Sequence, residues 1–153
     1  MEAPPGEKYR GVPVVTLFVG PDKIAYNVHQ SILCDASNFF QAAFYGKFKE
    51  SSDRSMSLPD DEIDPVERMI GWLYSAKIQL TSPVSSEAAT ERYWQLAKLN
   101  TLADKYDIVH LKNSIIDELY ELRKSSRVPR PQVIQYVYSN TTQQSPFRKL
   151  LVA

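Results

Sequence analysis

Cysteine is nearly absent from the chain: Cys34 is the only one among 153 residues, so no intrachain disulfide framework can hold the fold. Histidine is almost as scarce, with two residues, and two imidazoles with one thiol leave little for a transition-metal cage beyond carboxylates. Net charge is missing as well, because 18 basic side chains balance 18 acidic ones. With no global field, binding to nucleic acid or anionic lipid would require a local basic patch. No stretch reaches the roughly 18 apolar residues of a membrane span, and the opening Met1-Glu2-Ala3-Pro4-Pro5 lacks the apolar core of a signal peptide. The expectation is a protein of a reducing, intracellular compartment, nucleus or cytoplasm, without membrane contact.

What is present is apolar material in the proportions of a globular protein, 43% hydrophobic and 11% aromatic. Its arrangement changes period along the chain. Residues 1–13 carry Pro4, Pro5, Gly6, Gly11 and Pro13 and read as a flexible leader. Val14 to Val19 is a β-branched and aromatic run, Gly20-Pro21-Asp22 is turn chemistry, and Lys23 to Val28 alternates with Ile24, Tyr26 and Val28 on one face. That pattern predicts a β-hairpin.

His29 to Asp35 is too short and uneven for a strand and reads as a short helix. Ser37 can cap a second helix, Asn38 to Tyr45, which Gly46 would stop. Ser55 to Leu58 alternates as a short strand ended by Pro59. Asp64 as N-cap, Pro65 and Glu67 predict a capped helix ending near Tyr74, with Val66, Met69, Ile70 and Leu73 on its stripe. Ile78 to Leu80 reads as a small strand, and the Ser/Pro-rich residues that follow read as a loop over 81–90.

Leu96, Leu99, Ala103 and Tyr106 form one helical stripe between Thr90 and Tyr106. Leu111, Ile115, Leu119 and Leu122 form a second between His110 and Lys124. Pro131 and Ser145-Pro146 suit the starts of two further helices. The last one, Arg148 to Ala153, carries no stop signal, and the expectation is that the natural protein continues past it.

Few residues suggest chemistry. His29 and Cys34 are five apart, which on a helix separates them by roughly 140°, so they should not form a nucleophile and base. A buried thiol and a structural histidine are expected instead. Asp60, Asp61, Glu62 and Asp64 lack the glycine of a calcium loop and suit a helix start. No phosphate cradle of the Gly-Lys-Ser/Thr type occurs. Arg123, Lys124, Arg127 and Arg130 have no interleaved aromatics and read as a solvated helix end. Asn140-Thr141-Thr142 matches the glycosylation triplet but lacks a secretory context. The residues imply no enzyme, no cofactor and no metal.

Several segments, in order, carry a family resemblance: Val15-Thr16-Leu17-Phe18-Val19-Gly20, Tyr26 to Leu33, Ser37-Asn38-Phe39-Phe40 and Gly46-Lys47-Phe48-Lys49-Glu50-Ser51. Met56-Ser57-Leu58-Pro59-Asp60, Trp72 to Ile78, and Leu102 to Ile108 with Leu111 extend it. Over residues 14–122 the chain resembles the BTB/POZ domain, and its insert and tail look like those of many fungal members. The resemblance implies an α+β fold in which a helical cluster is flanked by a short three-stranded sheet, with extra C-terminal helices. It divides the chain into the leader 1–13, a domain 14–124 with its loop insert, and a helical extension 125–153 that pads the domain's last helices.

The resemblance also implies a protein-interaction module, commonly self-associating and commonly an adaptor that brings substrates to a cullin-type ubiquitin ligase. Adaptors carry a hydrophobic-x-Glu element after the aromatic helix, matched here by Phe48-Lys49-Glu50, so Phe48 and Glu50 become candidate cullin contacts. His29 and Ile32, on the short helix beside the leader, become candidate homodimer contacts. Val14 stands where many members open the strand with an aspartate lining a charged pocket, and the leader lacks an obvious domain-swapping strand. Neither feature is therefore carried over. The alternatives are a scaffold or transcriptional-regulator module without a ligase link, and a monomeric adaptor resembling Elongin C.

Overall fold

The computed structural model describes residues 6–47, 49–82, 86–125 and 128–153. The chain divides into two compact units, the first ending at Ile63 and the second starting at Asp64.

In the first unit the apolar alternation becomes a three-stranded sheet. β1 (Val14–Val19) pairs antiparallel with β2 (Ile24–His29) and parallel with β3 (Ser55–Leu58), giving the order β2-β1-β3. Val15, Leu17 and Val19 are fully buried on one face, while Thr16 and Phe18 point to the other and Thr16 Oγ1 donates to Asn27 Oδ1 at 2.8 Å. The hairpin turn places Gly20 at φ 77°, in the left-handed region where a side chain is strained. The Lys23 N–H then closes on the Gly20 carbonyl at 3.2 Å.

Three short helices complete this unit: α1 (Gln30–Ala36), α2 (Asn38–Tyr45) and α3 (Lys49–Asp53). Ser37 Oγ accepts from the Phe40 N–H at 3.0 Å, satisfying an otherwise orphan donor at the start of α2. Gly46 follows α2 with extended backbone, so the helix stops without a left-handed glycine. Phe40 and Phe44 are buried one turn apart, with ring centroids 6.2 Å apart and stacked. Glu7–Tyr9 form a 3-10 turn, and the Pro13 carbonyl accepts from the Gln30 N–H at 2.8 Å. Met1 to Pro5 lie outside the described residues.

The second unit is helical: α4 (Ile63–Ser75), α5 (Ser86–Lys105), α6 (Val109–Ser125), α7 (Pro131–Asn140) and α8 (Pro146–Leu151). Both expected stripes are core, since Leu96, Leu99, Ala103, Tyr106, Leu111, Ile115, Leu119 and Leu122 are all buried. The tight turn between α5 and α6 has no glycine. Asp107 takes the left-handed conformation at φ 52°, and the Ile108 N–H reaches back to the Ala103 carbonyl at 2.9 Å. Ile108, the residue after that turn, is buried.

Three expectations in this unit are corrected. α4 begins at Ile63, and Asp64 does not act as its N-cap: both of its carboxylate oxygens accept from Arg68, at 3.0 and 3.2 Å, one turn on. Ile78 to Leu80 is not a strand. The Gln79 carbonyl accepts from the same Arg68 guanidinium, so a side chain takes the group a ladder would have used. The 81–90 loop is shortened, because α5 starts at Ser86; Pro83, Val84 and Ser85 lie outside the described residues. Thr81 is held by Gln95, which accepts from its N–H at 3.1 Å and donates to its hydroxyl at 2.7 Å.

The C-terminal helices belong to this same unit, not to a segment apart. Val133 and Val137 of α7 and Phe147 and Leu151 of α8 are buried. Tyr136 ties α7 to α5, with its hydroxyl 3.1 Å from Thr101 Oγ1 and its ring edge-on to Trp94 at 5.5 Å. Arg148 ties α8 to the end of α7, donating to the Tyr138 and Thr141 carbonyls at 2.8 and 2.6 Å.

Candidate protein-interaction surface

Glu50 sits in the first turn of α3, half-buried, where a carboxylate suits the positive end of the helix. It lines an open cleft of about 390 Å³ with Phe18 of β1, Lys23 of the hairpin turn, Lys49, Asp53 and Ser55. Two cations and two carboxylates line it, so the cleft is formally neutral, and the half-buried Phe18 ring is part of its lining. Such a surface fits a partner that supplies both an apolar anchor and complementary charge. Phe48 lies outside the described residues.

His29 ends β2 and Ile32 lies on α1, both half-buried. The Tyr9 ring lies over His29, centroids 5.0 Å apart. In the strand register His29 faces Val14, which is 45% exposed. Tyr9, Val14 and His29 thus offer a second, more apolar surface on which the leader takes part, and Ile32 follows on α1. The structure does not merge the two. The cleft lies toward β3 and His29 ends β2, and these strands form opposite edges of the sheet.

Phe18, Lys23, Asp53 and Tyr9 were not legible as surface residues. Phe18 alone carried a signal, its position on the face of β1 opposite Val15, Leu17 and Val19. The others come together only through the turn and the parallel pairing of β3.

The structure also fixes the state of Cys34. It is 2% exposed, its thiol donates to the Phe40 carbonyl at 3.5 Å, and burial, with the Asp35 carboxylate second, pushes its pKa from 9.0 up to about 11. Thiolate at neutral pH is therefore vanishingly rare, the opposite of an activated nucleophile. Labelling with a thiol reagent at pH 8 should proceed only as fast as the chain opens and should accelerate abruptly in denaturant. The native state holds this proton more tightly than the unfolded chain does. Its contribution to stability is therefore full below pH 9 and is lost as pH rises toward 11. Immediate stoichiometric labelling of the folded chain would contradict the assignment.

Elsewhere, Lys124 lies 3.7 Å from Glu121 and its ammonium is 5.2 Å from the Tyr120 ring centroid, while Arg130 precedes α7 as its N-cap residue. Arg127 lies outside the described residues. Among the described residues no group of three or more His, Cys, Asp and Glu side chains could hold a metal ion, and no helix is long and apolar enough to cross a membrane.

No curated protein matches the chain. The family model for the BTB/POZ domain matches residues 15–122. That span covers more than two thirds of the chain and runs from β1 to the last buried leucine of α6, leaving α7 and α8 as additions. With its α+β architecture of a three-stranded sheet and helices, the chain belongs to the BTB/POZ family of protein-protein interaction domains.

Proposed function

We propose that this interaction module serves as a substrate adaptor of a cullin-type ubiquitin ligase and meets the scaffold through Phe48 and Glu50. The observation that supports this reading is the position of Glu50, half-buried in a cleft that Phe18 also lines. A half-exposed aromatic with a partly desolvated charge beside it is suited to anchor an interface. The reading carries with it residence in the nucleus or cytoplasm.

Light scattering and pull-down with a cullin N-terminal domain test it. The parent chain should form a saturable complex, and the double variant Phe48→Ala, Glu50→Lys should bind at least about tenfold more weakly. Reversing Glu50 turns a formally neutral cleft into one with three cations and one carboxylate, which repels a basic partner group outright. Unchanged binding by the double variant would remove this site.

A second reading, a self-associating scaffold or regulator without a ligase link, draws on the surface formed by Tyr9, Val14 and His29, with Ile32 following on α1. A chain that dimerises through it and ignores the cullin would favour that reading.

A further inference from the structure

β2 forms one edge of the sheet, and no strand among the described residues pairs with its outer side. Which of its backbone groups face outward follows from β1. The Thr16 N–H and, just past β1, the Gly20 N–H donate to the Arg54 and Leu58 carbonyls, so the even positions serve β3. The odd positions, Val15, Leu17 and Val19, therefore serve β2, where their partners are Val28, Tyr26 and Ile24. The bond from the Gln30 N–H to the Pro13 carbonyl continues the same alternation. The N–H and C=O of Ala25 and Asn27 thus point away from β1, and both residues are exposed.

A bare edge is a template for another strand, and proteins commonly blunt it with charge, proline, a bulge or short length. The opposite edge is blunted in this way. β3 has four residues, with Arg54 before it and Pro59 after it. β2 has six, Ile24-Ala25-Tyr26-Asn27-Val28-His29, with no lysine, arginine, carboxylate or proline among them. Its register with β1 runs without a bulge, and Ile24 is 46% exposed.

The occupant that fits this edge is a second copy of the same strand. An uncharged strand meets its own copy without like-charge repulsion, in a chain whose net charge is zero. Antiparallel pairing about a two-fold axis at Tyr26 sets Ala25 against Asn27 of the second copy, so the outward N–H and C=O groups of both residues are bonded. Ile24 then lies opposite Val28, and Tyr26 opposite Tyr26.

We propose that two copies of this chain pair edge to edge along β2 and join their sheets into one. The contact uses the backbone of β2, apart from the Glu50 cleft and from the surface formed by Tyr9, Val14 and His29.

Hydrogen exchange and sedimentation of the full chain test it. The Ala25 and Asn27 amides should exchange about tenfold more slowly or better at high protein concentration than at low, while the Tyr26 and Val28 amides, bonded to β1, should not change. Ala25→Pro removes an outward N–H and no bond to β1, at a position where an edge strand accepts proline. It should weaken dimerisation by about tenfold or more in a folded chain. Tyr26→Cys should link two copies by a disulfide on mild oxidation, because opposed residues of a non-hydrogen-bonded pair have Cα atoms about 4.5 Å apart. Val14→Asp and the Phe48→Ala, Glu50→Lys variant should dimerise as the parent does. A chain that stays monomeric, exchange at Ala25 and Asn27 that ignores concentration, or a dimer that Val14→Asp abolishes and Ala25→Pro leaves intact would overturn the proposal.

Discussion

Phe40→Ala lowers stability by about 3–5 kcal/mol, the usual cost of removing a fully buried phenyl ring and leaving its cavity. Phe40 is fully buried, stacked on Phe44 and edge-on to Phe39 at 5.3 Å, while its backbone holds the Ser37 cap and accepts the Cys34 thiol. Its neighbour provides the control. Phe39 is 43% exposed, so Phe39→Ala should cost about 1 kcal/mol or less. Urea unfolding should therefore show a large fall in midpoint for the first variant and a small one for the second. Because Cys34 is reached only when the structure opens, Phe40→Ala should also speed its labelling by about two to four orders of magnitude. Equal costs for the two substitutions would mean that α2 does not anchor the first unit.

Ending the chain after Lys124 should have a still larger effect. The truncation removes α7 and α8 and with them the buried side chains of Val133, Val137, Phe147 and Leu151. Each such side chain contributes about 1.5–3 kcal/mol by burial, so the loss is comparable with the whole stability of a typical domain. It also bares the apolar surface of α5 and α6 that these helices cover, and an exposed patch of that kind drives association. The truncated chain should aggregate or bind a hydrophobic dye. Tyr136→Phe, which removes only the hydroxyl contact with Thr101, should cost about 1 kcal/mol and leave the chain soluble. A soluble, cooperatively folding chain ending at Lys124 would contradict the packing role of the extension.

The elements legible in advance were those whose cause lies within a few residues. Ser37 could be read as a cap because the donor it satisfies is three residues away. The stripes from Leu96 to Tyr106 and from Leu111 to Leu122 could be read because burial on one helix face repeats every three or four positions. Asp64 misled because its local pattern suited a cap, while Arg68 one turn on bound both of its oxygens. Asp107 was illegible because the left-handed turn it occupies usually falls to glycine. Ile78 to Leu80 failed for a different reason: a strand exists only where a neighbour completes its ladder, and here Arg68 took the carbonyl of Gln79.

The candidate surfaces divide along the same line. By itself the sequence determined a folded α+β chain with balanced charge, a buried unreactive thiol, and the positions Phe48, Glu50, His29 and Ile32 as places to look. Tertiary structure alone decided that Glu50 shares a cleft with Phe18, Lys23 and Asp53, that Tyr9 covers His29, and that β2 is left as an edge of the sheet. The physical reason is sequence distance: periodicity and capping report on contacts within one turn of chain. A cleft or a sheet edge instead depends on residues dozens of positions apart, held together by strand register and helix packing.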